Sequence, residues 1–487
     1  MQTVKLRDIL LNLESGKRPK GGVKDIKSGV PSIGAEHLFI DGGFCFDKIK
    51  YVSNDFAKKM TKGILKKNDI LVVKDGATSG KTSLVNENFP FDFAVINEHV
   101  FLCRCPDTIN SKYIFYFLYS NTGNAQILKD FRGAAQGGIS TNFVNLVEVP
   151  LPSLFQQQAI VDEIEKQFSR LDNGSHSLEN IKSNLKNYKA SVLKSAVEGK
   201  LTEQRRKKNK HIEPASKLLE KILAERKHKR EQENPGKKYK EPPKINAEGL
   251  SELPEGWCRT SLGESYSVFV GATPSRSNKD YWGGDIKRIS SGEVHFNDIY
   301  DTEEKITKTG LDNSSTKIHP SGTIMIGMIG EGKTRGQVAM LKVNACHNQN
   351  TSAIEVNNNF LSSEYIYYFL YSCYQKMRSI GGGGNQKALN KGIIETIIVP
   401  LPPLQEQQKI VQEVEEKLSV IEVISTIIEE NIKRAKQLKQ SILHQAFTGQ
   451  LVPMEDDDKG VEQLLAEIEK TKAMLVGQKK TKKSKQK

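Results

Sequence analysis

Apolar positions follow two different rhythms along the chain. In one stretch Ile164, Leu171, Leu178, Leu185 and Val192 recur every seven residues, with Ile160, Ile181 and Tyr188 interleaved. In another Val414, Ile421, Ile428, Ala435 and Ile442 form the same row, with Ile410, Ile424 and Leu438 between them. A seven-residue apolar stripe sustained over five repeats is a coiled-coil signature. No proline falls between Phe155 and Pro214 or between Leu404 and Pro453, so each stretch predicts a rod of roughly 60 Å at 1.5 Å per residue. Two equal rods in one chain are expected to pair antiparallel; the alternative is that each packs on its own domain. Elsewhere the rhythm is shorter. Runs such as Ile70 to Val73, Thr323 to Ile326 and Val338 to Val343, punctuated by Gly, Pro, Asn and Asp, predict strands in α+β regions.

The pattern occurs twice. Val149-Pro150-Leu151-Pro152-Ser153-Leu154 returns as Val399-Pro400-Leu401-Pro402-Pro403-Leu404, and residues 149–202 match 399–452 at 21 of 54 positions without a gap. Upstream, the aromatic stretch Tyr113 to Ser120 returns as Tyr365 to Ser372. The chain is therefore a duplication. Two α+β regions, 1–148 and 253–398, precede long helices at 149–199 and 399–452. A polar connector at 200–252 carries a short amphipathic helix around Leu218, Leu219, Ile222 and Leu223, and 453–487 repeats that plan with Val461, Leu464, Leu465 and Ile468 before a lysine-rich tail. Each α+β region closes with an aromatic helix, a glycine-rich loop and a strand running into Pro-Leu-Pro. The aromatics read as core rather than as a platform for bases.

Composition narrows the class. Of 487 residues 37% are apolar and 27% charged, and no apolar run approaches the roughly 18 residues of a spanning helix. The N-terminal stretch lacks an apolar segment followed by a small-residue cleavage site. Six cysteines, including Cys103-x-Cys105 and Cys346-His347, have neither disulfide-framework nor zinc spacing, which leads us to expect reduced cytoplasmic thiols. The net charge of +14 points toward a polyanion. Its distribution weakens that argument, since residues 200–245 hold 16 Lys+Arg against 7 Asp+Glu and the segment 479–487 holds six lysines.

Catalytic patterns are missing. Gly327-Met328-Ile329-Gly330-Glu331-Gly332-Lys333-Thr334 fits the letters of a phosphate loop. A working loop needs a helix immediately after it, and Arg335 to Val343 reads as a strand instead. A hairpin is the expected structure, with Lys333 and Thr334 toward a DNA phosphate. The counterpart Gly76 to Thr82 is one residue short of the motif. The Pro-Pro pairs Pro242-Pro243 and Pro402-Pro403 lack the residues an adenine methyltransferase uses, the nine histidines are scattered, and Glu455 to Asp458 reads as an acidic turn. No catalytic or metal-binding residue is expected.

Pro-Leu-Pro-x-Leu-x-x-Gln-Gln-x-Ile-Val at the head of each long helix resembles the DNA-specificity subunit of type I restriction-modification systems. So do Leu253-Pro254-Glu255-Gly256-Trp257 with Leu262-Gly263-Glu264, and Ala446-Phe447-Thr448-Gly449-Gln450-Leu451. The similarity spans essentially the whole chain. Gln156 and Ser153 depart from Glu406 and Pro403 of the second copy, and the connector is long. The resemblance implies two target-recognition domains, each reading half of a bipartite double-stranded DNA site and held apart by antiparallel helices. It implies docking of methyltransferase (modification) subunits, two of them, and of motor-nuclease restriction subunits. S-adenosylmethionine, ATP and Mg would belong to those partners and no cofactor to this chain. Gly-rich loops with basic and amide side chains suit phosphate and base contacts. The candidates in the first region are Lys17, Arg18, Lys20, Lys74, Lys81, Thr82, Arg132, Gln136, Ser140, Thr141 and Asn142. In the second they are Thr273, Ser275, Arg276, Lys333, Arg335, Gln349, Asn350, Asn385, Gln386 and Lys387. A purely structural assembly protein is the rival reading, and a nucleotide-binding enzyme a third.

Overall fold

The structure is a computed structural model that describes all residues except 1, 25, 40, 134–136, 210–211, 234–244, 246–248, 331, 357–358, 380–387, 454–457 and 485–487, and no side chains at 458–459 and 475–484. The chain forms two compact units, Met1–Glu179 with Glu429–Lys487, and Asn180–Ile428.

In the first unit, Thr3–Lys5 pairs antiparallel with Glu148–Pro150, with Val4 opposite Val149, so the head opens and closes on one ribbon. A four-stranded sheet runs Asn12–Ser15, Val100–Arg104, Ile70–Val73, Thr82–Leu84, and a three-stranded sheet runs Lys50–Val52, Val30–Ile33, Val95–Ile96. The apolar run Ile70–Val73 is buried at every position, as a strand covered on both faces must be. The aromatic helix Ser111–Tyr119 is capped by Asn110, whose side chain accepts from the amides of Lys112 and Tyr113, satisfying two of the free donors of the first turn. Its Tyr113, Ile114, Phe117 and Leu118 are buried. These aromatics are core.

The repeated glutamine now has a reason. Gln157, fully buried, accepts from the Asn110 amide at 3.0 Å and donates to the Pro152 carbonyl at 2.9 Å. It thereby ties the Pro-Leu-Pro turn to the start of the aromatic helix. Tyr113 adds a second tie, its hydroxyl donating to the Pro150 carbonyl at 2.7 Å. The first long helix, Leu154–Val197, starts here. Its Ile160, Val161, Ile164 and Phe168 share a core with Ile442, Leu443, Ala446 and Phe447 from the end of the second long helix, and with Val461, Leu464 and Ile468 of the helix Asp458–Ser484. Phe447 meets Tyr113 and Phe117 edge-on at 5.3 and 5.1 Å.

The second unit repeats this plan. Cys258–Ser261 pairs with Ile398–Leu401. A five-stranded sheet runs Ser267–Val270, Thr351–Glu355, Ile324–Gly327, Val338–Leu341, Asp298–Ile299, and a three-stranded sheet runs Glu304–Ile306, Trp282–Ile289, Cys346–His347. Gln407 accepts from the Ser362 amide at 2.9 Å and donates to the Pro402 carbonyl at 3.0 Å, and Tyr365 donates to the Pro400 carbonyl at 2.6 Å. Val192, Leu193 and Ala196, ending the first long helix, pack with Ile410 and Val414 of the second, Leu404–Phe447. Gly199, left-handed at φ 68°, ends the first helix, and a Cβ there would run into Pro254 and Trp257, so the helix stop needs glycine.

The connector and the seven-residue row take a definite form. The helix Ala215–Glu233 buries Ala215, Leu218 and Ile222 in the second core, and the buried carboxylate of Glu406 accepts from Thr202 at 2.6 Å, Arg206 at 2.5 Å and the Trp257 indole at 3.0 Å. The seven-residue row also divides. Ile164, Val192, Val414, Ile421, Ile428 and Ile442 are buried and Leu171, Leu178 and Leu185 half-buried, whereas Ile181, Tyr188, Ile424 and Leu438 are exposed. The interleaved row is buried where a head core covers that face, at Ile160 and Ile410, and not away from the heads.

Candidate nucleic-acid interface

In the first head four loops meet at one end of the four-stranded sheet. Gly16 lies so close to the backbone that a Cβ would sit 2.0 Å from the Ile96 carbonyl oxygen and 2.3 Å from that of Asn97. This holds the loop of Lys17, Arg18 and Lys20, all exposed, against residues 97–99. Arg18 Nη1 is 3.5 Å from Glu98 Oε1, which is 3.5 Å from His99 Nε2, while His99 Nδ1 meets Asp75 at 2.6 Å. The Lys74 amide donates to the His99 carbonyl, the Ile139 amide to the Lys74 carbonyl and the Gly76 amide to the Gly137 carbonyl, which brings in residues 137–142, and the Arg132 amide pairs with Gly138. There Arg132 is exposed, and Ser140 donates from both its amide and hydroxyl to Asp130 Oδ2 at 2.7 Å. Thr141 is exposed, Asn142 accepts from Asn145 at 2.8 Å, and the Lys74 ammonium lies 5.9 Å from the Phe101 ring centre. Gln136 lies outside the described residues.

One candidate here is corrected. Thr82 is buried with its hydroxyl on the Gly80 carbonyl, which withdraws it from a phosphate. Lys81, half-buried, donates to the Leu38 carbonyl at 3.0 Å.

The second head is built alike. Gly271 approaches the His347 and Asn348 carbonyls as Gly16 does those of Ile96 and Asn97. Thr273 donates to Gln349, the Met328 amide to the Asn350 carbonyl and the Leu389 amide to the Met328 carbonyl. Arg288, buried, donates to Glu304 and to Thr273. Arg276 is exposed, donates from Nη2 to both Glu304 oxygens at 2.7 and 3.1 Å, and lies 4.5 Å over the Trp282 ring. Burial lowers the Arg288 pKa and Glu304 works against it, while the charge of Arg276 lowers it further. Ser275 is exposed and shares a hydrogen bond with Ser277.

The phosphate-loop letters form a hairpin. Ile324–Gly327 turns into Val338–Leu341, the Gly327 amide donates to Gln337 and the Gly336 amide to Gly327, so these amides are spent on the turn. Lys333 is exposed at its tip. Arg335 is corrected: it is buried and donates to the Arg378 carbonyl at 2.8 Å, anchoring the helix Tyr374–Ser379. Asn385, Gln386 and Lys387 lie outside the described residues.

Sequence reasoning missed Asp75, Glu98, His99, Trp282, Arg288 and Glu304, which organise these loops. The pair Gly16-x-x-Pro19 and Gly271-x-x-Pro274 would have aligned them. Burial pushes the Cys105 thiol up to about 12 and the Cys346 thiol to about 11, so neither is a thiolate at neutral pH. Among the described residues no helix is long and apolar enough to cross a membrane.

Against this geometry, the sequence model of the type I restriction modification DNA specificity domain matches residues 1–187 and 254–434. The chain belongs to the type I restriction-modification DNA-specificity family. Its two matched segments are the two heads with the helices that leave them. It is 24% identical to the EcoKI specificity subunit of Escherichia coli (strain K12) over 84% of this chain and 80% of that one. It is 24% identical to the putative MjaX specificity subunit of Methanocaldococcus jannaschii over 92% of each. The crystal structure of the HsdS subunit from Thermoanaerobacter tengcongensis matches with a TM-score of 0.53 at 16% identity, covering 92% of this chain and 97% of that one. A chain from a study of complex assembly and conformational transition of the type I R-M system matches with a TM-score of 0.65, also at 16% identity, covering 92% and 98%. At these identities the structural likeness is one of fold.

Proposed function

We propose that this chain is the cytoplasmic DNA-reading subunit of a type I restriction-modification complex. Each head reads one half of a bipartite double-stranded site. The two long helices pair as an antiparallel coiled coil that sets the gap and offers a platform for two methyltransferase subunits and for restriction subunits. The chain performs no chemistry of its own in this reading, and S-adenosylmethionine, ATP and Mg belong to those partners.

The observation that carries the proposal is the crosswise make-up of the units. Each head is joined to the start of the helix that follows it and to the end of the other helix. In the first unit Lys439 lies 2.6 Å from Asp172 and 4.9 Å from the Phe168 ring centre. In the second, Val192 to Ala196 meets Ile410 and Val414. Such contacts call for helices of opposite direction. Two 44-residue helices of about 65 Å each are a natural gauge of half-site separation. The gap is then read without base contacts, while groove contacts in each head supply sequence.

Exchanging residues 1–148 for the matching region of a relative, followed by mapping of methylated sites, tests this. One half of the target is expected to change and the other to persist. A target unchanged in both halves would favour the assembly-only reading.

A further inference from the structure

The two heads share a backbone and differ in chemistry at four facing positions. Strand register makes Ser32 the counterpart of Arg288, since each lies on the strand parallel to Val95–Ile96 or Cys346–His347, and makes Lys50 the counterpart of Glu304. The glycines against the 96–97 and 347–348 carbonyls make Arg18 the counterpart of Thr273 and Glu98 that of Gln349. The local ties agree: the Asn97 amide donates to the Ile33 carbonyl and the Asn348 amide to that of Ile289. In the first head these four residues line one cleft of about 620 Å³. A cation and anion in one head, Arg18 with Glu98, stand where the other has a neutral pair, Thr273 with Gln349; the small Ser32 beside Lys50 stands where the other has Arg288 on Glu304. A constant frame with exchanged charge at its open face is what discrimination between two ligands requires.

Within that face each head presents one exposed arginine that stability does not explain. Surface ion pairs contribute little. Glu304 is already engaged by the buried Arg288, yet holds Arg276 as well, and Trp282 supports the Arg276 guanidinium from below. The Arg276 side chain is 62% exposed, and among the described residues its Nη1 and Nε have no protein acceptor. Arg18 is placed similarly, 52% exposed with one nitrogen toward Glu98. A guanidinium has two parallel N–H pairs, Nε with Nη2 and Nη1 with Nη2, and a hold on one hydrogen, of Nη1 in Arg18 and of Nη2 in Arg276, leaves one such pair intact. Guanine, with O6 and N7 acceptors side by side in the major groove, matches them, whereas adenine places a donor at one of those points.

We infer that Arg18 in the first head and Arg276 in the second each read a guanine in their half-site, positioned by Glu98 and by Glu304 with Trp282. This rests on the proposed DNA-reading function. The test uses the full chain assembled with its methyltransferase subunits and selection of bound duplexes from a library randomised across both half-sites. Arg18→Lys and Arg276→Lys keep the charge and remove the fork. Each is expected to lower preference for one guanine by roughly 5- to 150-fold, in opposite half-sites, with the other half-site serving as the control for folding. Substituting 7-deazaguanine at that position should weaken the wild type and leave the matching variant unaffected. Unchanged preference in both half-sites overturns the inference. So does a loss that is uniform over all sequences, which marks a phosphate contact. If the wild type selects no bipartite sequence, the functional reading itself fails, a result separable from failure of the arginine assignment.

Discussion

Removing the buried amide of Gln407 should loosen the second unit by a predictable amount. Gln407 is fully buried, and its two hydrogen bonds join the Ser362 amide to the Pro402 carbonyl. Gln407→Leu fills the same volume with apolar atoms but leaves a backbone donor and a backbone acceptor without partners. Each orphaned group costs roughly 1–3 kcal/mol, offset in part by the better burial of leucine, for a net loss of about 2–4 kcal/mol. At about 2–4 °C per kcal/mol for a unit of this size, melting should fall on the order of 5–10 °C. Gln157→Leu should act alike on the first unit, where the amide bridges Asn110 and Pro152. Hydrogen exchange resolves the two. Amides at the start of the Ser363–Ser372 helix should lose protection in Gln407→Leu and not in Gln157→Leu. A melting shift under about 1 °C, or equal loss of protection in both units from either substitution, would refute the bridging role.

Other consequences follow from the same geometry. His347 is held neutral by burial, by His319 beside it and by Lys317, which bring its pKa to about 3. The unfolded chain takes up that proton near pH 6.5 and the folded chain does not, so stability is full above about pH 6.5 and falls toward pH 3 by up to about 1.4 kcal/mol per unit. Denaturant titrations between pH 4.5 and 7 should show a shallower slope for His347→Gln, and equal slopes would contradict this. Glu406→Ala leaves Arg206, Thr202 and Trp257 without their shared acceptor; a loss of about 3–5 kcal/mol should appear as faster tryptic cleavage at Arg205 to Lys208, and wild-type cleavage rates would refute it. ATP with Mg should not raise the melting temperature of the isolated chain, because the amides of Gly327 and Gly336 close a hairpin; a rise abolished by Lys333→Ala would overturn that. Inserting one heptad in each long helix adds about 10 Å and should widen the tolerated gap by about three base pairs at 3.4 Å each. An unchanged gap would refute the gauge.

Much of the fold was legible because duplication supplies its own comparison. The helices, the Pro-Leu-Pro strands and the aromatic core repeat in the letters, and the strand-like continuation after Lys333 already opposed a phosphate loop. What stayed hidden depends on long-range pairing. Nothing in the local pattern says that Phe447 packs on Tyr113 and Phe117, or that Glu304 gathers Arg276 and Arg288. Thr82 and Arg335 were misjudged because a hydroxyl or a base in a glycine-rich stretch carries no mark of its facing; burial against the Gly80 and Arg378 carbonyls decides it. The charge of the polar connector masks how much of it is core. Its lysines and arginines are mostly exposed, yet Ala215, Leu218 and Ile222 lie on the opposite face and complete a core.

In the proposed function two unlike heads read two half-sites at a fixed separation. Methylome sequencing of the host with and without this gene is the decisive measurement. The expected result is a methylated motif that disappears with the gene and consists of two unlike specific halves separated by a gap of constant length. A gene-dependent motif that is contiguous, or a methylome that does not change, would contradict it.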